Sequence, residues 1–371
     1  MILQSIDPIA LTIPFKQAFK HASAERRATQ SLWIRTRTAS GAMGFGEGCP
    51  REYVTAESMS TAFAFVGRRA SEWLAGFDSV GAVSEWVRAH RAEIDANPAA
   101  WTAVELSLFD VLGKEQRVPV EGLLGLPPLS GRFLYTAVIG DGPPEQFANQ
   151  LDRYVKQRFE AFKIKLSADM SENREKVRLL KAAGIAANAV RADANNLWRS
   201  ADACIADLES LKFKFNALEE PLIAGDWSGL TQVAKTSDIR IILDESVSRE
   251  EHLDALGTAP DRWIINCRVS KMGGLLRSLE LLRSAQSRDL HVIVGAHVGE
   301  TSVLTRAALT LAAAARGVLL AQEGAFGTHL LSHDMADPPL MFGVGGAIHL
   351  PAGGLGAMPG LGLNIVEDAG T

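Results

Sequence analysis

The sequence contains little cysteine: Cys49, Cys204 and Cys267 are the three among 371 residues. Because they are odd in number and widely spaced, they argue against a disulfide framework and against a zinc knuckle. Export and membrane signals are absent too, since no basic region precedes an apolar stretch and no apolar run is long enough to cross a bilayer. We therefore expect a protein of the reducing cytoplasm.

A surplus of positive charge is also absent, with a formal net charge of -5 and no basic tract. This balance argues against binding to nucleic acid, which needs clustered lysine and arginine. The chain does have 47% hydrophobic and 22% charged residues, the composition of a globular protein with a large core. Its 371 residues suit a barrel of about 250 residues joined to an accessory domain.

The chain divides into three regions by pattern. Residues 1–130 look like an α+β domain, with a strand at 31–37, a turn at 41–44 and helices at 55–69 and 99–114. Residues 131–335 alternate strand-like runs with segments of helix length, which is typical of a parallel sheet. Residues 336–371 are rich in glycine and proline, and we expect irregular strands and turns that pack back on the first domain.

The middle region contains eight strand-like runs, at 133–139, 161–166, 189–193, 215–219, 241–244, 263–268, 291–296 and 319–323. Eight parallel strands favour closure into an α/β barrel, a modified TIM barrel of the (β/α)7β type. An open doubly wound sheet is the alternative, but no glycine-rich phosphate loop follows the first run. The active site of such a barrel lies at the C-terminal ends of its strands.

Three acidic residues each close one of these runs: Asp193, Glu219 and Asp244, at separations of 26 and 25 residues. Near-equal spacing in βαβ units places the three carboxylates at the same end of successive strands. Converging anions repel unless a cation joins them, and ligands that are all oxygen suit Mg²⁺ far better than zinc. A helix cap or a solvated loop acid would explain any one of them alone, but not all three in one register.

Two lysines, Lys163 and Lys165, flank Ile164 on the run before Asp193, so alternation puts both on one face. Two exposed lysines on an edge strand are the alternative, but a closed barrel has no edge. Two ammonium groups beside a divalent cation should depress each other's pKa, so that one is partly neutral at about pH 7 and acts as a base. With a metal that neutralises an enediolate, this suits removal of the proton α to a carboxylate. Phosphoryl transfer would also use Mg²⁺, but the sequence offers no phosphate cradle.

Five segments together resemble the enolase superfamily, specifically its muconate lactonizing enzyme subgroup, and the match covers nearly the whole chain. They are 163–165 (Lys-Ile-Lys), 193–198 (Asp-Ala-Asn-Asn-Leu-Trp), 218–221 (Leu-Glu-Glu-Pro), 243–246 (Leu-Asp-Glu-Ser) and 271–274 (Lys-Met-Gly-Gly). The resemblance implies that Asp193, Glu219 and Asp244 bind Mg²⁺, for which Mn²⁺ could substitute. It also implies that Lys165 is the acid/base and that Lys163 assists the substrate carboxylate.

The same resemblance implies a capping domain, built from the N-terminal region and the tail, over the mouth of the barrel. Segments 15–27 and 49–54 would then select the substrate. We expect Asn195, Arg26 and Tyr53 among the residues that contact it. Arg26, Arg27 and Arg51 could meet an anionic substrate, with solvated surface charge as the alternative.

The chain departs from the subgroup at the end of the sixth strand. A second catalytic lysine belongs there, five residues before the Gly-Gly pair, and this chain has Arg268. Lys271 lies three residues further on, off the register of Arg268, and should face elsewhere. A guanidinium is a poor base at neutral pH but a good partner for a carboxylate or for enolate charge. Racemisation by two opposed lysines is therefore disfavoured.

Two further residues end the seventh and eighth strands. His297 could face Lys165 across the substrate, or it could be a neutral histidine bonded to backbone. Mandelate-racemase-like relatives support such a histidine with an aspartate, and since this chain has Arg268 instead, the histidine pKa should fall. Glu323 resembles a glutamate of lactonizing relatives, with an ion pair to an arginine as the alternative. The Asp-x-Asp pair of dipeptide epimerases is absent at this strand.

These observations predict an isomerase or lyase that removes the α-proton of a small carboxylate substrate with Mg²⁺. A single lysine base fits cycloisomerisation or dehydration. The alternatives are a racemase or epimerase of an amino acid or dipeptide derivative that uses Lys165 and His297, and a non-catalytic ligand-binding barrel. Since relatives are often dimers or octamers, we also expect a homo-oligomer.

Overall fold

The N-terminal part of the chain is an antiparallel sheet covered by helices. The computed structural model describes residues 1–21, 24–257 and 259–366, so part of the predicted capping segment 15–27 lies outside the described residues. The strands are β1 (Leu3–Leu11), β2 (Pro14–His21), β3 (Ala24–Ala28), β4 (Ser31–Thr38) and β5 (Met43–Gly48). β1, β4 and β5 form one sheet in that order, and β2 pairs with β3 in a hairpin. The predicted strand at 31–37 is β4.

Six helices follow in this part of the chain: α1 (Glu52–Thr55), α2 (Met59–Gly76), α3 (Val80–Ala89), α4 (Arg91–Ala96), α5 (Pro98–Gln116) and α6 (Val120–Leu123). The predicted helix at 99–114 is α5. The predicted helix at 55–69 is two helices, because Ala56 takes a left-handed conformation that ends α1 and Ser58 caps α2.

Helix α5 packs directly on β5, and the sequence shows why. Gly44, Gly46 and Gly48 alternate along β5 on the face toward the helix, and a Cβ at any of them would collide with the α5 backbone. The helix is buried continuously from Pro98 to Gly113. Its other side contacts the barrel, so α5 is the central element that joins the two parts of the molecule.

The second part is a barrel of eight parallel strands. Its strands are β7 (Ala137–Ile139), β8 (Phe162–Lys165), β9 (Val190–Asp193), β10 (Ala217–Glu219), β11 (Arg240–Leu243), β12 (Trp263–Cys267), β13 (His291–Val294) and β14 (Leu319–Gln322), after a short β6 (Gly131–Leu134) and before β15 (Ala347–Leu350). The strands pair in sequence order. Tyr135 forms a parallel bridge to Gln322, and the Thr136 N–H donates to the Gln322 carbonyl at 2.8 Å, which joins the first strand to the last.

Helices connect most of the strands: α7 (Pro144–Lys156), α8 (Met170–Ala182), α9 (Ala201–Leu211), α10 (Trp227–Thr236), α11 (Val269–Met272), α12 (Gly274–Ser287) and α13 (Ser302–Ala314). Between β11 and β12 the described residues form 3-10 turns instead of an α-helix. The predicted (β/α)7β barrel with an α+β cap is confirmed. None of the described helices is both long and apolar enough to cross a membrane.

The first predicted strand, 133–139, differs from the structure. It is divided into β6, which pairs antiparallel with β15 from the tail, and β7, which belongs to the barrel. No turn residue separates the two strands in the sequence, so the division could not be seen there. The tail continues to the capping part, where the Leu361 N–H donates to Asp110 Oδ1 at 2.8 Å.

Candidate functional site

The barrel interior dictates which side chains reach its mouth. Ala217, Ile242, Ile264 and Ile293 form a buried apolar layer inside the barrel. Because side chains alternate along a strand, the residues two positions further on point to the same side. On β10 and β11 the next inward positions are therefore Glu219 and Asp244. Two such positions follow from β12, Asn266 within the strand and Arg268 directly after it. After β13 the second position beyond Ile293 is His297. The site is thus a direct consequence of strand periodicity.

The three predicted metal ligands lie at this mouth on adjacent strand ends, with Lys163 and Arg268 between them. Asp193 pairs with Glu219 on one side and with Lys165 on the other, which sets Asp193, Glu219 and Lys165 at one level of the sheet. Asp193 and Asp244 are 0% exposed and Glu219 is 1% exposed, so all three carboxylates are removed from water. Lys163 Nζ lies 2.6 Å from Glu219 Oε2 and 3.2 Å from Asp193 Oδ2.

The buried acids at this point repel one another. Burial and the neighbouring Asp193 carboxylate raise the pKa of Glu219 above its usual range. Glu245, beside them, keeps a buried carboxylate oxygen with no hydrogen-bond partner among the described residues, and burial raises its pKa to about 8. Three buried carboxylates at adjacent strand ends offer the all-oxygen ligands that Mg²⁺ prefers. The residues therefore fit a divalent magnesium ion.

The two lysines of β8 have different surroundings. Burial lowers the pKa of Lys163, but the carboxylates of Glu219, Glu323 and Asp193 outweigh it, so the pKa is raised well above its usual range. Acids therefore surround Lys163 more closely than Lys165 does, and the mutual depression of the two lysine pKa values beside a bound divalent cation stays a prediction. Lys165 Nζ donates to Asp193 Oδ2 at 2.5 Å and to Asn195 Oδ1 at 2.8 Å.

Arg268 and Lys271 take opposite sides of Asp244. Arg268 Nη2 contacts the Asp244 carboxylate from the cavity and lies 3.8 Å from Glu219 Oε1. Lys271 is 1% exposed, and its Nζ donates to Asp244 Oδ1 at 2.9 Å and to the carbonyls of Asp244, Val247 and Asn266. Arg268 lines the cavity of the mouth, whereas Lys271 holds Asp244 from behind.

His297 lines the same cavity and is 4% exposed. Burial, followed by the nearby charge of Arg268 and Arg51, lowers its pKa well below the usual value, so the ring is neutral. Neither ring nitrogen has a hydrogen-bond partner among the described residues. The alternative of a ring bonded to backbone is therefore not what the structure has.

Glu323 is paired rather than free. Its Oε2 accepts from Lys163 Nζ at 2.8 Å, and its Oε1 accepts from Arg191 Nη2 at 3.0 Å. The arginine partner considered for this residue is thus present, inside the barrel. Glu323 also lines the cavity, where it fixes the position of Lys163.

The cap contributes aromatic side chains to the mouth. Phe19 from β2 and Tyr53 from α1 line the cavity. Arg26 lies over the Tyr53 ring, with 5.8 Å from its guanidinium carbon to the ring centroid, and donates to Gln30 Oε1 at 3.0 Å. Arg51 is neither a solvated nor a substrate-facing residue: it is 1% exposed and donates to the carbonyls of Gln30, Pro50 and Val298.

Three polar residues of the site were not singled out from the sequence. Glu220 accepts from the N–H of Asp244 at 2.7 Å and from the N–H and hydroxyl of Ser246. Asn266 donates to Glu219 Oε1 at 3.0 Å. Glu245 lines the cavity. Strand periodicity would have indicated Asn266, but the turn that aims Glu220 at the next strand, with φ of 38°, has no sequence signal.

The capped barrel and its mouth define a class of enzyme that acts on carbon acids. A family model described as "Enolase C-terminal domain-like" matches residues 146–369, and one for the "Mandelate racemase / muconate lactonizing enzyme, N-terminal domain" matches residues 6–125. The chain therefore belongs to the mandelate racemase/muconate lactonizing enzyme family of the enolase superfamily. The resemblance seen in the sequence motifs is confirmed.

Several known proteins similar to this chain are isomerases. The N-succinyl-L-Arg/Lys racemase of Bacillus cereus is 25% identical over 378 residues, which cover 99% of this chain and 96% of the racemase. Muconate cycloisomerase 1 of Rhodococcus opacus is 26% identical over 376 residues, with coverage of 98% and 96%. The solved dipeptide epimerase of Cytophaga hutchinsonii, complexed with Mg and D-Ala-L-Val, has a TM-score of 0.85 at 22% identity, covering 100% of this chain and 97% of that one, which shows the shared fold. The protein is accordingly an enzyme with the proton-abstraction chemistry of this superfamily.

Proposed function

We propose that Lys165 removes the α-proton of a small-molecule carboxylate and that Arg268 stabilises negative charge on the opposite face. The observation that supports this most is the placement of the two residues on one cavity. Lys165 ends β8 and Arg268 follows β12, four strands away in a barrel of eight. Their side chains therefore come from opposite walls of the cavity.

Asp193, Glu219 and Asp244 would hold Mg²⁺, or Mn²⁺ in its place, and the ion would supply charge neutralisation for the carboxylate as the proton leaves. Asn195 orients the Lys165 amine through its Oδ1 at 2.8 Å. The Lys163 ammonium is the cation for the substrate carboxylate. Phe19 and Tyr53 of the cap line the cavity from above.

The arginine limits which reactions are possible. A guanidinium keeps its proton at neutral pH, so Arg268 can bind developing charge but cannot take up a second proton. With one base, the proton held on Lys165 Nζ returns to the carbon skeleton in a cycloisomerisation or passes to a leaving hydroxyl in a dehydration. We favour these two reactions.

A second candidate is racemisation or epimerisation of an amino acid or dipeptide derivative by Lys165 and His297. The neutral His297 ring, with both nitrogens unpartnered among the described residues, is the observation that favours it. The similarity to a racemase of N-succinyl amino acids supports the same class of substrate.

The cytoplasmic location and the homo-oligomeric state stay predictions.

The test is solvent exchange. Candidate acids, including N-succinyl amino acids and hydroxy acids, are incubated with the enzyme and Mg²⁺ in D₂O and followed by NMR. We expect deuterium at the α-carbon or at the product carbon with the native enzyme, and a loss of at least a hundredfold in Lys165→Ala. Lys156→Ala is the control, since this lysine is 74% exposed on α7.

The stereochemical result separates the two candidates. Exchange without inversion, retained in His297→Asn, supports the one-base reactions. Inversion at the α-carbon that is abolished in His297→Asn would overturn them in favour of the two-base racemase. Exchange at the native rate in Lys165→Ala would remove Lys165 from the mechanism altogether.

A further inference from the structure

A second group of potential metal ligands lies where the cap meets the barrel. Cys49 directly follows β5 of the cap, and His297 and Glu300 lie in the loop between β13 and α13 of the barrel. The ligand atoms of the three side chains all lie within 4.8 Å of one another. No described cysteine, histidine or acid forms another such group of three, and the strand-end carboxylates are separated by Lys163 and Arg268.

The loop conformation brings the two barrel residues together. The His297 N–H donates to Glu300 Oε1 at 2.6 Å, and the Glu300 N–H donates to the His297 carbonyl at 3.3 Å. Gly299 makes this turn possible, because its φ of +92° is in the region that favours glycine and a Cβ would collide with Phe15. The Glu300 carboxylate is thereby placed 3.4 Å from His297 Nδ1.

The three side chains are buried and incompletely bonded. Cys49 is 0% exposed, and the side chains of His297 and Glu300 are 1% and 7% exposed. Cys49 Sγ has a weak contact of 3.4 Å with Ser31 Oγ. Both nitrogens of His297 have no hydrogen-bond partner in the described part of the chain. Burial of an unpaired polar ring costs free energy unless something binds it.

We propose that Cys49, His297 and Glu300 form a second metal site, distinct from the magnesium site, that takes Zn²⁺ or a similar borderline-soft divalent ion. Sulfur, imidazole nitrogen and carboxylate oxygen are the ligands that zinc selects and magnesium does not. Three protein ligands leave a fourth tetrahedral position. Of the three ligands, His297 also lines the cavity of the mouth.

A thiolate and a carboxylate would neutralise the charge of a divalent ion at such a site. The other charged groups that act on it are mostly positive, since Arg51, Arg268, Lys271 and Arg26 stand against Glu47. Burial raises the pKa of Glu300 to about 8 and that of Cys49 to about 12, so metal binding releases the thiol proton and the carboxyl proton to solvent. The ion would join the cap to the barrel and would occupy a nitrogen of His297.

Cobalt provides the test, since Co²⁺ bound to a thiolate has a charge-transfer absorption in the near ultraviolet. The full-length protein is stripped with a chelator and titrated with Co²⁺ in a large excess of Mg²⁺, which saturates the carboxylate site. We expect one equivalent of Co²⁺ to bind with this absorption, and one equivalent of Zn²⁺ to abolish it. No substrate is needed, so the outcome is independent of the proposed reaction.

The variants decide the assignment. Cys49→Ser should lose the absorption, whereas Cys204→Ser, which changes a buried thiol on α9 far from the cavity, should retain it. Glu300→Gln should weaken Co²⁺ binding at least tenfold without removing the thiolate band at saturation, and it is the second variant if Cys49→Ser does not fold. An absence of the band in the native protein, or its persistence in a folded Cys49→Ser protein, would overturn the proposal.

Discussion

At the scale of single residues, the two cations on Asp244 have separate tasks. Lys271 is fixed by three carbonyls and the carboxylate, so it orients Asp244 from the side away from the cavity. Arg268 contacts the same carboxylate from inside the cavity. A metal that binds Asp244 must therefore share it with a permanent positive charge, which opposes the binding.

We predict that Arg268→Gln raises the affinity for Mg²⁺ at least tenfold while it lowers turnover. Two unit charges about 4 Å apart repel by several kcal/mol at an effective dielectric constant of about 20, so removal of the guanidinium should strengthen metal binding. Isothermal titration with Mg²⁺ measures the change. Arg249→Gln, which breaks an exposed pair with Asp95, is the control and should leave the affinity unchanged. An equal or weaker affinity in Arg268→Gln would contradict the proposed competition.

Much of the site at this scale follows from the sequence. The spacing of Asp193, Glu219 and Asp244 is enough to place them at one end of the barrel, because parallel strands of similar length bring their ends together. The group of Cys49, His297 and Glu300 could not be predicted in this way. Cys49 and His297 are about 250 residues apart, and nothing in the local pattern of either shows that cap and barrel meet there.

At the scale of elements, the pairing of β5 with α5 determines how the cap is built. The three alternating glycines allow the helix backbone to approach the strand, and Ala99, Ala103 and Ser107 recur on the facing side of α5. Such a contact tolerates no added atoms, since both surfaces are backbone.

We predict that Gly46→Ala destabilises the protein by about 3 kcal/mol or more, because its Cβ would overlap the Ala103 carbonyl and force the two elements apart. Urea unfolding of the purified variant measures the loss. Gly67→Ala is the matched control: this glycine lies in α2 with open space around its Cβ position, and alanine should add about 0.5–1 kcal/mol. Native stability in Gly46→Ala would show that the elements can separate without cost.

At the scale of the whole molecule, cap and barrel are joined by buried acids. Glu105 on α5 accepts from the N–H of Leu275, at the start of barrel helix α12. Glu47 on β5 accepts from the N–H and hydroxyl of Thr301. Burial raises the pKa of Glu105 to about 8 and that of Glu47 to about 7. The junction therefore favours the protonated acids.

The raised pKa of Glu105 makes the stability of the folded protein depend on pH. The folded pKa of Glu105 lies above its unfolded value of 4.5, so between about pH 5 and 8 the folded state retains a proton that the unfolded state has lost. Stability should then fall as the pH rises through this window. We predict that Glu105→Gln reduces this fall by on the order of 1–3 kcal/mol between about pH 5.5 and 8.

Chemical denaturation at several pH values provides the measurement. Glu145→Gln, an exposed acid at the start of α7, is the control and should follow the native slope. If Glu105→Gln has the same slope as the native protein, the carboxyl is ionised in the folded state and the junction is held by an anion instead.

The overall architecture was predictable because eight runs of strand length alternate with helix-length segments, which few other folds produce. The division of the first run into β6 and β7 was not predictable. It depends on a partner strand, β15, that lies about 200 residues away and whose own sequence carries no sign of the pairing.

The same pairing bears on how the protein is made. During synthesis β6 leaves the ribosome long before β15, and Tyr135 leaves it long before Gln322. The pairing of β6 with β15 and the bridge from Tyr135 to Gln322 must therefore wait until most of the chain has been translated. Contacts of such high sequence separation are slow to form. β6 is thus among the last strands to find its partner, although β7 can pair with β8 early, and a chain cut short before residue 347 would leave β6 as an unpaired edge that invites aggregation.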